Sequence, residues 1–165
     1  MSFVNDYVQT LLNGDNEISK LRVQPSDQKI LVVGYSYVKN KNITFTLARY
    51  NTDLSIDTTF NSTGFNILPI TNYNFSNAFN LDFQTDNYIV VVGYARDTNI
   101  FVVARFTTNG ILDTTFNSSG IQPGVITTLI EDSCSAFGVR IQSNDNKIVV
   151  CGSSTGEVIR SVLVR

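Results

Sequence analysis

Where apolar and polar residues alternate in this chain they do so with a period of two, and no stretch carries a sustained apolar stripe of period 3.6. Leu81 and Phe83 alternate with polar neighbours, the pattern of a strand with one buried face. The run Ile89–Gly93 (IVVVG) is apolar at consecutive positions and rich in β-branched residues, which predicts a strand buried on both faces. Between such runs sit the polar stretches SDQK, TDNY and NDNK, whose Asp and Asn tolerate the left-handed backbone of tight turns. A third strand ending in LAR or VAR leads into the turn-like NTDLSID and TTNGILD, then a DTTF box. A weaker fourth strand is predicted at Phe65–Ile70 and again within Ile121–Leu129. The expectation is an all-β chain.

The pattern repeats. VQPSDQKILVVGY (Val23–Tyr35) returns as FQTDNYIVVVGY (Phe83–Tyr94) and as IQSNDNKIVVCGS (Ile141–Ser153), closed by Gly34, Gly93 and Gly152. FTLAR, FVVAR and SVLVR follow in the same order, ending at Arg49, Arg105 and Arg165. ISKLRV, AFNLDF and AFGVRI precede them. DTTFNSTGF (Asp57–Phe65) and DTTFNSSGI (Asp113–Ile121) occur only twice. Four short strands in about 60 residues make a propeller blade. The repeats run over about 17–71, 78–129 and 136–165 within one 165-residue unit.

The combination of a DGKI-like turn, an apolar strand ending in Gly, an LARY-like strand and a DTTF-like box resembles the delta-60 repeat, from about Ile18 to Arg165. That resemblance implies a β-propeller and no known activity, and it brings no catalytic residues with it. Gln28, Asn87 and Asn146 stand where the family's first turn usually has Gly, and Leu54 replaces the Gly retained as Gly110. As repeat-structural residues we expect Gly34, Gly93 and Gly152, the arginines Arg49 and Arg105, the aspartates Asp57 and Asp113, and the core plugs Phe60 and Phe116. Each box aspartate is expected to accept hydrogen bonds from turn amides, with a salt bridge to Arg49 or Arg105 as a second structural role.

The third DTTF box has no place after Arg165, whereas MSFVNDYVQTLL aligns loosely with TTFNSTGFNILPI and puts Phe3 at the position of Phe60. A strand at about 3–11 is therefore expected to complete the third blade. Three blades alone would meet at about 120°, too sharp for sheets packing about 10 Å apart, and known propellers use about four to eight. The expected assembly is a homodimer: two chains, three four-stranded blades each, in one six-bladed ring joined by exchanged end strands. Its expected interface comprises Phe3, Val4, Tyr7, Val8, Val158, Val162, Val164 and Arg165.

Composition narrows function more than it names one. Charged residues are 16% and the net charge is −2, so neither a nucleic-acid partner nor a membrane surface is expected. No basic start with an apolar run suggests a signal peptide, which leads to an intracellular, cytoplasmic expectation. The Asn-rich usage fits an AT-rich coding sequence of the kind giant viruses carry, and a virion is the alternative location. There is no histidine, which removes His-dependent triads and most zinc sites. Cys134 lies in a polar stretch, and Cys151 takes the place of Val92 as a small core residue. Glu131 and Asp132 read as a solvated loop. No catalytic residue, metal or cofactor is expected. The leading expectation is a non-enzymatic structural or protein-interaction propeller with an unidentified protein partner. The alternative is a glycan- or small-ligand-binding propeller using Tyr35 and Tyr94, with Ser153 at the third equivalent position.

Overall fold

The computed structural model describes residues 7–12, 14–38, 42–97 and 99–165. They form eleven strands: β1 (Asn16–Val23), β2 (Ile30–Val38), β3 (Asn42–Tyr50), β4 (Phe65–Leu68), β5 (Phe75–Phe83), β6 (Ile89–Arg96), β7 (Ile100–Phe106), β8 (Val125–Thr128), β9 (Ser133–Ile141), β10 (Ile148–Thr155) and β11 (Ile159–Val164). β1 to β4 pair in sequence as one antiparallel meander, and β5 to β8 as a second. β9, β10 and β11 form a third with three strands. One parallel bridge, Ile43 to Phe75, links the first two units at one corner.

The hairpin chemistry read from the sequence is visible in the backbone. Gln28, Asn87 and Asn146 take φ of 61°, 63° and 59° at equivalent turn positions. In each turn the preceding aspartate (Asp27, Asp86, Asp145) accepts a hydrogen bond from the amide two residues on. Leu54 and Gly110 likewise share the left-handed region, at 68° and 77°. Leucine pays for that conformation where glycine does not.

The strand-closing glycines have a steric cause that the sequence does not announce. The first strand of every unit carries a β-bulge, with Ser19, Phe79 and Phe137 as the extra residues. The bulge pushes a carbonyl towards the neighbouring strand. A Cβ on Gly34, Gly93 or Gly152 would lie 1.8, 1.9 or 2.0 Å from the carbonyl oxygen of Glu17, Asn77 or Ser135.

The units pack face to face. Leu31, Val33, Phe45 and Leu47 of the first meet Ala78, Leu81, Ile89 and Val91 of the second in the largest core cluster. The next junction repeats this with Val90, Val92 and Phe101 against Ala136, Val139 and Val150. Among the described residues no further unit packs on the outer faces of units one and three. Leu21 is 55% exposed where its equivalent Leu81 is 0%, and Leu163 is 74% exposed where Leu47 is 2%. Cys151 corrects its expected place in the core: it sits on the open face of unit three and is exposed. Cys134 departs in the other direction. It is buried, accepting from the Ile130 amide and donating to Thr128 O.

At the chain's start, Tyr7–Leu11 lie outside any strand, and Tyr7 and Val8 are exposed. Phe3 and Val4 fall outside the described residues. Leu12 is buried on the outer face of unit one, against Val32, Ala48 and Tyr50.

Replacing Gly93 by Ala drives a Cβ into backbone rather than a yielding side chain. Gly93→Ala is expected to cost about 3 kcal/mol or more in urea unfolding, while Gly156→Ala, whose Cβ meets nothing nearer than 3.5 Å, stays neutral. Leu54→Gly removes left-handed strain and is expected to raise stability by up to about 1 kcal/mol.

Candidate functional site

The strongest chemical signal in the sequence, the recurring Arg and Asp of the box, resolves into two equivalent clusters. Arg49 is the penultimate residue of strand β3, and the chain turns through Asn51–Ser55 to return Asp57 beside it, with the Asp57 amide donating to Arg49 O at 2.9 Å. Arg49 Nε then donates to Asp57 Oδ2 at 2.7 Å, and Lys29 Nζ to the same oxygen at 2.8 Å. The other oxygen, Oδ1, accepts from the Thr59 hydroxyl at 2.6 Å and the Thr59 amide at 3.2 Å. Both carboxylate oxygens are therefore occupied by internal donors. The guanidinium carbon lies 4.6 Å from the ring centroid of Phe60, which is wholly buried.

The second cluster copies the first with one exchange. Arg105 bonds Asp113 Oδ2 at 2.7 Å, and Thr115 caps Oδ1 through hydroxyl and amide. Tyr88 stands where Lys29 does, and its ring takes the Arg105 guanidinium at 5.2 Å. An ion pair in unit one is thus a cation–π contact in unit two. Phe116 lies under Arg105 at 4.7 Å and is only half-buried, whereas Phe60 is covered by Thr107–Gly110 of the next unit.

Burial pushes the Asp57 carboxyl up, but the hydrogen bonds from Lys29, Thr59 and Arg49 outweigh it and hold the group well below the usual carboxylate range. Asp113 is lowered by the same balance of burial against Thr115 and Arg105. Carboxylates kept ionised and bonded on both oxygens are braces, poorly placed to exchange protons with a substrate.

The tyrosines are placed differently from each other. Tyr35 donates to Glu17 Oε2 at 2.8 Å, and that bond, with slight burial and the Glu17 charge, pushes its pKa up to about 12. It also meets Tyr37 edge-on at 5.7 Å. Tyr94 instead stacks on the bulge residue Phe79 at 5.3 Å and leans on Phe75 at 5.8 Å. Phe79 continues to the exposed Phe137 at 5.5 Å, and Arg96 caps Phe75. This aromatic run escaped the sequence reading because two of its members sit at bulges, which periodicity alone does not mark.

The remaining candidates disperse. Val158 is exposed, but Val162 turns inward against unit two and Val164 lines a groove between units two and three with Arg165. Glu131 is held by the Ser154 hydroxyl and pairs with Arg160. Among the described residues no group of three or more His, Cys, Asp or Glu side chains is placed to hold a metal ion. No helix among them is long and apolar enough to cross a membrane.

Residues 26–60 and 84–116 match the model of a β-propeller domain of unknown function (DUF5122). Each matched stretch runs from the first hairpin turn to the box phenylalanine, so the match supports a β-propeller repeat family on the elements that recur in the structure. No curated protein and no solved structure matches the chain.

Arg49 is nearly inaccessible, so Asp57→Asn strands a buried charge. It is expected to cost about 3–5 kcal/mol in urea unfolding, and Asp113→Asn less, since the Arg105 side chain is 23% exposed. Because the folded Asp57 value lies below its unfolded one, its contribution is present above about pH 4 and is lost as pH falls through the folded value. Asp57→Asn should flatten that acid slope.

Proposed function

We propose that this chain is three blades of a β-propeller that acts as a non-enzymatic protein-interaction scaffold, assembled with a second copy into a six-bladed ring. The observation that carries the assembly is the match between its two open faces. The face of unit three with Val149, Cys151 and Leu163 occupies the repeat positions of Leu31, Val33 and Leu47, which pack onto unit two. The face of unit one with Ile18, Leu21 and Val32 occupies the positions of Ala78, Leu81 and Val91, which receive them. One open face therefore repeats the knob side of an internal junction and the other repeats its socket. Burying such faces is worth roughly 25 cal/mol per Å² of apolar surface. Two three-unit arcs joined by these faces make six units, within the usual span of about four to eight blades. Exchange of the N-terminal segments onto β11 would complete the third blades.

The scaffold reading rests on how the repeated polar residues are used. Both box carboxylates are spent on internal bonds, and the chain has no histidine to serve as a general base. A glycan-binding reading has one observation in its favour, the aromatic run ending in the half-exposed Phe137. Against it, Tyr35 and Tyr94 have different surroundings and the third position is Ser153, so the blades do not present equal pockets.

Light scattering on a sizing column is expected to give twice the 18.3 kDa chain mass. Leu163→Glu, at an exposed position, should give a folded monomer. Cys151 should resist alkylation in the native chain and react in that variant. A native chain that elutes as a monomer with a reactive Cys151 overturns the ring.

A further inference from the structure

The box loops of units one and two look alike in sequence, but the structure sets them out of step. Gly64 and Gly124 are equivalent. Each takes a left-handed φ, 94° and 93°, donates to the carbonyl of its box phenylalanine and accepts from the amide of Arg49 or Arg105. Asn61 and Asn117 are equivalent too, donating through Nδ2 to Phe65 O and Val125 O. Three residues separate Phe60 from Gly64, and seven separate Phe116 from Gly124. Gly120, which the sequence aligns with Gly64, therefore opens a four-residue insertion, Gly120–Pro123, that unit one does without.

The insertion is fastened in place, and it builds a cavity. Gln122 spends its side chain on the connection between units one and two: Oε1 accepts from the Thr71 amide at 2.8 Å, and Nε2 donates to Pro69 O at 2.9 Å. The Gly120 amide donates to Asn117 O at 2.9 Å and the Val125 amide to Gln122 O at 3.0 Å, which closes the loop on itself. Between the insertion, β8 and residues 71–73 lies a cavity of about 330 Å³. That is at the lower end of the roughly 300–1,000 Å³ of small-molecule sites. Ile121, Val125 and Ile126 give it an apolar wall. The hydroxyls of Thr71, Tyr73 and Thr127 and the side-chain amide of Asn72 belong to lining residues and make no hydrogen bond among the described residues. No Asp, Glu, Lys or Arg lines it.

This lining selects the chemistry of a ligand. With neither a cation nor a carboxylate, the cavity offers little to a phosphate, a carboxylate or a metal ion. A purely apolar occupant would leave three hydroxyls and an amide without partners. Hydroxyls that can each donate or accept, beside an apolar wall, suit a molecule with hydroxyls around its edge and C–H groups on its face. We propose that this cavity binds one neutral sugar ring. It is a single site created by an insertion, distinct from a pocket repeated in every blade. It depends neither on the six-bladed ring nor on the scaffold reading, since every lining residue belongs to units one and two or to their connection.

The probes are glucose, galactose and mannose, each as the free sugar and as its methyl glycoside, titrated into the isotope-labelled full chain and followed by NMR. Saturable shifts are expected at the amides of Thr71, Gly120, Ile121 and Thr127 for at least one of them. Binding of the methyl glycoside upholds the site and assigns it to the end of a glycan, and binding of the free sugar alone upholds it for free sugars. Asn72→Gly keeps the left-handed backbone, φ 72°, without strain. It should weaken binding about five- to tenfold, as for loss of one hydrogen bond, without lowering the urea midpoint. Deleting Gly120–Pro123 leaves a loop of unit-one length and should abolish binding. No saturable shift with any of these sugars, shifts confined to the aromatic run at Tyr94 and Phe137, or undiminished binding in both variants would overturn the proposal.

Discussion

A four-stranded meander of this kind is apolar on both sides and can cover neither by itself. That single constraint governs most of what the structure does. β6 and β7 are apolar at consecutive positions because one set of alternate residues faces the first unit and the other set the third. The box of unit one holds the outer part of the first junction in register. Its arginine, braced by the aspartate of its own unit, reaches across to the backbone of the next, as Arg49 does to Thr108 O. A buried ion pair is a costly way to gain stability. Its use here is geometric, since a guanidinium fixed on one edge by Asp57 and on one face by Phe60 can meet the neighbouring turn in only one position.

The same constraint explains which residues were legible in the sequence. The strand runs, the turn aspartates and the fourth strands declare themselves through alternation and turn chemistry, and their places in the fold follow. Burial is harder to read, because it depends on whether another unit stands beside a face. Cys151 has the sequence context of Val92, yet one is exposed and the other buried. Phe116 has the context of Phe60 and loses half its cover for the same reason. Local sequence specifies the side of the sheet, and the neighbour specifies the exposure. The aromatic run from Phe75 to Phe137 was hidden for another reason. Bulges shift the register by one, so residues that look out of phase in sequence come together in space.

The exchange of Lys29 for Tyr88 illustrates how the repeats diverge without losing their frame. A cation at this position adds a second donor to the aspartate, while an aromatic offers its face to the arginine instead. Both satisfy the same guanidinium–carboxylate pair from the same turn. Equivalent positions can therefore differ in chemistry as long as the charge between them stays compensated.

The bulged first strand has a consequence for how such a protein can change. Its extra residue is Ser19, Phe79 or Phe137 in the three units, three side chains of two very different kinds on an almost unchanged backbone. Because the bulge takes that residue out of the alternation, substituting it does not transfer any other side chain from one face to the other. The glycine opposite absorbs the backbone crowding and so cannot vary, while the bulge residue packs only on surface neighbours, as Phe79 does on Tyr94 and Phe137. Each unit thereby couples one immutable position to one that has taken serine or phenylalanine, a small display site that selection can rewrite at the surface without renegotiating the fold.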